Sequence, residues 1–134
     1  ENLEMKVALD ANTYSDWKRG LRWGSEISKA ERVYVSATVF GELCYGFACG
    51  AREFVNLAHL ENFVAAPQVN LVSAGGETAR LYARLKKHLR KEGTPLPEND
   101  IWIAASAMEH GATLLTRDRH FDKLPQVSVR FPDR

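Results

Sequence analysis

The sequence predicts a three-layer α/β/α sandwich, with helices covering both faces of a mainly parallel sheet. Three observations carry that prediction. Short apolar runs rich in valine and leucine alternate along the chain with stretches of helical periodicity. Breakers fall between them, at Gly20, Gly50, Pro67, Gly93, Pro95, Pro97 and Gly111. Hydrophobic residues make up 45% of the 134 positions and charged residues 26%, the balance of an ordinary globular domain.

Taken in order, residues 5–9 are a compact apolar run that stops at Asp10, the pattern of a strand entering an acidic loop. A helix is expected over 12–18, capped by Asn12 or Thr13 and ended by Gly20. A second short helix covers 23–30, and Val33-Tyr34-Val35 makes a strand. Helices over 38–49 and 51–64 form an αα-hairpin, the second offering Phe54, Leu57, Ala58 and Leu60 as a buried face. Pro67 breaks the pattern before a strand at 69–72. The helix over 77–91 buries Thr78, Leu81, Tyr82, Leu85 and Leu89, and opposes a charged face of Arg80, Arg84, Lys87 and Lys91. After the Pro-rich loop comes a very apolar helix over 100–109, then strands at 112–115 and 127–129.

One domain over 5–134 is expected, with no internal repeat or linker; Glu1-Asn2-Leu3-Glu4 ahead of Met5 read as appended residues. Eighteen basic and seventeen acidic side chains leave +1, so net charge names no class of partner. Cys44 and Cys49 supply neither a disulfide framework nor a thiolate metal cage, which points to a reducing cytoplasm. No eighteen-residue apolar run and no secretory leader is visible, so no membrane association is expected.

Four carboxylates sit where this plan brings them together. Asp10 follows the first strand, Glu42 lies in the helix after the second, Asp100 opens the helix behind the Pro-rich loop, and Asp118 follows the penultimate strand. Open α/β sheets bind ligands beyond the carboxyl ends of their strands. Converging carboxylates repel one another unless a cation intervenes. Mg²⁺ suits an oxygen-only donor set. Such an ion lowers the pKa of water and stabilises charge on a phosphoryl group, which makes phosphodiester hydrolysis the matching chemistry. Asn12, Asn99 and Thr116 are candidates to support the ligands, and Asp122 to assist a second ion. Asp16 reads as solvated, and none of the four histidines reads as a general base.

The stretches Val7-Ala8-Leu9-Asp10-Ala11-Asn12, 35–43, 99–107 and 114–121 carry a recognisable order. In them the chain resembles the PIN-domain ribonucleases, most closely the VapC toxins of type II toxin–antitoxin pairs. The resemblance spans residues 5–131. It implies that Asp10, Glu42, Asp100 and Asp118 form the catalytic quartet that binds Mg²⁺ or Mn²⁺ and activates water to cut RNA. It further implies that Asn12, Ser36, Asn99 and Thr116 line or support the pocket, with Asp122 a less regular match. Ala11 departs from the Thr often found there. Products with 5′-phosphate and 3′-hydroxyl ends, a homodimer and a cognate VapB-like antitoxin are also implied.

An acidic pocket needs positive surface around it to hold RNA. Arg117 and Arg119 flank Asp118, and the helix from Arg80 to Glu92 carries a local sum of +5, with Arg84 and Lys87 as candidate RNA contacts. Two other readings stand beside this one. Asp10-Ala11-Asn12-Thr13 faintly matches the nucleophile motif of haloacid-dehalogenase-type phosphatases, and a receiver-like signalling module also carries acids at a sheet edge.

Overall fold

The structure is a computed structural model that describes residues 6–133; the tetrapeptide 1–4, Met5 and Arg134 lie outside the described residues. Five strands, β1 (Lys6–Leu9), β2 (Arg32–Ser36), β3 (Val69–Val72), β4 (Thr113–Leu115) and β5 (Val129–Arg130), form one sheet in the order β3-β2-β1-β4-β5. Every pair is parallel, with Val7 opposite both Val33 and Thr113. Six helices flank it: α1 (Ala11–Lys18), α2 (Gly24–Lys29), α3 (Ala37–Ala48), α4 (Glu53–Val64), α5 (Gly76–Glu92) and α6 (Glu98–Glu109). The chain builds outward from β1 through β2 to β3, then returns to lay β4 on the other side of β1. Strand order therefore reverses between β1 and β4, and a crevice is expected beyond their carboxyl ends.

The strands are buried because both sheet faces are covered: Val7, Leu9, Val33, Val35, Leu114 and Leu115 are all nearly inaccessible. Ala104 and Ala105 are fully buried, and their small side chains let α6 lie close on the layer beneath. Gly93 ends α5 at φ +71°, in the left-handed region that glycine enters without the Cβ penalty. Trp23 adopts φ +74° without that freedom, just ahead of α2, and its buried indole nitrogen has no hydrogen-bond partner.

Several boundaries differ from the sequence reading for local reasons. The cap of α1 is Asp10 rather than Asn12 or Thr13: its Oδ1 accepts the Thr13 amide at 2.8 Å. Asp100 lies in the first turn of α6, two residues inside its start at Glu98. The last strand begins at Val129, and a 3-10 helix (Arg119–Lys123) precedes it. On α4 only Leu60 is fully buried, and Phe54 is 80% exposed. That helix covers α3 and the edge strand β3 from outside, so one line of side chains reaches the core. Its Phe63 instead joins Tyr14 and Trp17 in a cluster with centroids 4.9–5.9 Å apart. No helix among the described residues is long and apolar enough to cross a membrane.

Candidate active site at the strand-order reversal

Beyond β1 and β4 lies an open cleft of about 450 Å³ lined by Asp10, Ala11, Asn12, Glu42, Tyr45, Asn99, Asp100, Ile103 and Asp118. All four carboxylates expected from the sequence share it, although they come from four separate elements. Asp10 is the residue immediately after β1 and Asp118 lies three residues beyond the end of β4; Glu42 enters from α3 and Asp100 from the first turn of α6.

Local bonding fixes three of the acids, Asp10, Glu42 and Asp118. Asp10 is held at both oxygens, Oδ1 by the Thr13 amide and Oδ2 by the Thr116 hydroxyl at 2.5 Å. Thr116 is fully buried, and its Oγ1 also accepts the Asp118 amide at 3.0 Å, so one side chain ties the first and last acids together. Thr13 donates to the Leu115 carbonyl at 2.6 Å, locking the start of α1 to the end of β4. Asn99 donates to Glu42 Oε2 at 3.1 Å across the cleft. Asp118 caps the 3-10 helix by accepting the His120 amide at 2.9 Å, and the His120 ring lies 2.8 Å from the same oxygen.

Asp100 shows the electrostatic consequence. Its pKa is pushed up to about 6, first by burial and then by the charges of Asp118, Glu42 and Asp10, with His120 opposing them. The donor chemistry fits a hard divalent cation, whose charge would relieve that repulsion. Among the described residues no three His, Cys, Asp or Glu side chains close on one point to make a ready cage. The fit is thus to an ion that keeps much of its water, as Mg²⁺ does when one or two carboxylates hold it.

Not every candidate reaches the cleft. Asn12 and Asn99 line it, and Thr116 sits beneath it. Ser36 instead caps α3, accepting the Val39 amide at 3.2 Å, and lines a separate small pocket with Thr78 and Trp102. Asp122 is exposed on the 3-10 helix and is not part of the cleft wall. Arg117 points its Nε at Asp16, 2.9 Å away, and Arg119 lies 4.4 Å over the Phe131 ring. Arg84 and Lys87 line a different cleft, on α5.

Two residues escaped the sequence reading. Asp16 is not solvated: its side chain is 3% exposed and is clamped by Arg22 at 2.7 Å and Arg117 at 2.9 Å. The run Arg117-Asp118-Arg119 therefore has its first arginine anchored back onto α1. His120, passed over as a base, contacts a cleft acid directly. The pairing of Asp16 with Arg117 is made by the fold, whereas the two-residue step from Asp118 to His120 is a local signal.

Comparison with known proteins agrees with this geometry. The PIN domain family profile matches residues 9–127. The ribonuclease VapC4 of Mycobacterium tuberculosis is 28% identical over 124 residues, covering 92% of this chain and 88% of that protein. The VapC ribonuclease Y4jK of Sinorhizobium fredii is 30% identical over 121 residues, covering 84% and 86%. Among solved structures, the toxin–antitoxin complex VapBC-5 of Mycobacterium tuberculosis superposes with a TM-score of 0.73 at 26% identity, over 95% of this chain and 97% of that one. VapBC2 from Rickettsia felis, bound to a DNA fragment from its promoter, gives 0.82 at 21% identity, over 96% and 99%, a likeness of fold. With nearly the whole chain matched and the acids gathered at the strand-order reversal, the protein belongs to the PIN-domain family.

Proposed function

We propose that this chain is a metal-dependent endoribonuclease toxin that cuts RNA with activated water and is held inactive by a VapB-like antitoxin. The observation that carries the reading is the shared cleft of Asp10, Glu42, Asp100 and Asp118, with Asp100 pushed up to about 6 by burial and then by its neighbours' charges. The names of the relatives as ribonucleases, and the antitoxin complexes among the structural neighbours, support it. Family membership favours it over the phosphatase and receiver readings.

Mg²⁺ or Mn²⁺, when held by these acids, supplies Lewis acidity toward a phosphodiester and a lowered water pKa. The chain's own residues provide the orientation. Thr13 and Thr116 fix both oxygens of Asp10, so it presents its remaining lone pairs to the cleft without rearranging. Asn99 restrains Glu42, and the His120 amide and ring restrain Asp118. Tyr45, 74% exposed at the cleft mouth, offers a ring on which a splayed base can stack. A basic antitoxin side chain entering the cleft would pair with the carboxylates needed for the cation, which explains inhibition without a conformational change. A homodimer and a cytoplasmic site of action complete the proposal. Incubation of the purified chain with total RNA tests it: scission is expected with Mg²⁺ or Mn²⁺ and not with EDTA, and Asp10→Asn should fold yet lose cleavage. Scission unaffected by chelation, or equal in Asp10→Asn, would refute it.

A further inference from the structure

Helix α5 carries six basic side chains, and the structure divides them. Arg80 is paired with Glu77 at 3.2 Å, and Lys86 with Glu98 at 2.8 Å. Arg90 lines a different cleft, with Lys86 and Glu98; Arg84, Lys87 and Lys91 have no acid within 4.0 Å among the described residues. With His88 they stand at positions i, i+3, i+4 and i+7, one face of the helix spanning about 10 Å. Together they line an open cleft of about 400 Å³ floored by Leu85 and Met108, and no acidic side chain borders it.

This face is separate from the acidic cleft, with which it shares no lining residue. Met108, at its edge, lies eight positions beyond Asp100 on α6, about 12 Å along the axis. Arg22 and Arg117 are paired with Asp16, and Arg119 lies over the Phe131 ring. The chain as a whole carries only +1, so no broad field draws a polyanion. Four carboxylates, meanwhile, repel phosphates. Affinity for a nucleic acid must come from a local cation array, and this stripe matches the charge of a phosphate backbone.

We propose that Arg84, Lys87 and Lys91, with His88, form a second RNA-binding site that grips the backbone without metal, away from the point of scission. The proposal rests on the ribonuclease reading and extends it. At about 3.4 Å per phosphate of a stacked strand, an RNA that touches both places needs at least on the order of four nucleotides.

The test is anisotropy of a labelled long single-stranded RNA titrated with the full chain in EDTA, across salt. Each lost phosphate contact lowers the salt slope by about 0.7 on single strands. The triple variant Arg84→Gln/Lys87→Gln/Lys91→Gln should therefore lower the slope by about 2. Between about 50 and 200 mM salt, wild-type affinity should then fall about 20-fold more than the variant's. Arg80→Gln/Lys86→Gln, which removes the paired cations of the same helix, should stay near wild type. All three substituted positions are exposed, and circular dichroism checks the fold. Should the triple variant not fold, Lys87→Gln/Lys91→Gln takes its place with a slope change of about 1.4. Unchanged affinity and salt slope in the triple variant, or an equal loss in the paired-cation variant, overturns the proposal. So does failure of the wild type to bind RNA in EDTA. Scission with Mg²⁺, measured on the same RNA, separates that failure from failure of the ribonuclease reading.

Discussion

Replacing Asp100 with Asn should stabilise the metal-free protein while removing a proposed cation ligand, and the size of the effect follows from the site. The carboxyl pKa moves from 3.8 to about 6 on folding, through burial and three neighbouring carboxylates. A folded pKa above the unfolded value means that the favourable contribution is complete below about pH 4 and is lost as pH rises through about 6. Above pH 7 the ionised group costs at most about 3 kcal/mol, at 1.36 kcal/mol per unit. The cleft is open to solvent, so screening reduces this to roughly 1–2 kcal/mol. Urea unfolding of wild type and Asp100→Asn in EDTA, from pH 4 to pH 8, reads it directly. The two proteins should be nearly equal at pH 4, and the Asn variant should be more stable by roughly 1–2 kcal/mol at pH 8. Millimolar Mg²⁺ should then stabilise the wild type and not the variant. A variant less stable than wild type at pH 8, or a difference that does not change with pH, would refute the reasoning.

Other perturbations have equally definite outcomes. Thr116→Val keeps the buried shape but removes the hydroxyl that donates to Asp10 and accepts from Asp118; about 1–3 kcal/mol of stability should go, with a larger proportional loss of scission, by denaturant melts and rate assays. Asp16→Asn leaves Arg22 and Arg117 facing each other without their carboxylate; because both arginines are half-exposed, the cost should be about 1–3 kcal/mol, seen as a lower melting temperature. Scission at fixed Mg²⁺ should rise as pH passes through about 6, because Asp100 must lose its proton to hold a cation, and a rate flat from pH 5 to pH 8 would contradict that.

Much of this fold is legible in the sequence, and the reason lies in periodicity. The alternation of Val-rich runs with amphipathic stretches is a local signal, and it placed the strands and helices within a few residues. Asp10 and Asp118 follow strands, Glu42 interrupts an apolar helix and Asp100 opens one, places where an acid is conspicuous, and the family resemblance joins them as a set. What local pattern could not hold was pairing between distant segments. Asp16 reads as a surface acid on α1 until the fold delivers Arg117 from beyond β4. The charged face of α5 through Arg84, Lys87 and Lys91 is legible from its spacing, but only the packing of α5 on α6 sets Lys86 against Glu98. The outer face of α4 was misjudged for a similar reason: apolar spacing predicts a buried stripe, but whether anything lies above Phe54 is a tertiary fact.

Titration of Mn²⁺ into the wild-type chain and into Asp10→Asn, Glu42→Gln, Asp100→Asn and Asp118→Asn, followed by calorimetry, reaches the centre of the account. One cation site shared by all four acids predicts that each amide weakens binding at least about tenfold, by the scale at which even supporting groups act on a metal. Mn²⁺ affinity left intact by Asp10→Asn and Asp118→Asn would mean that the acids do not act as one.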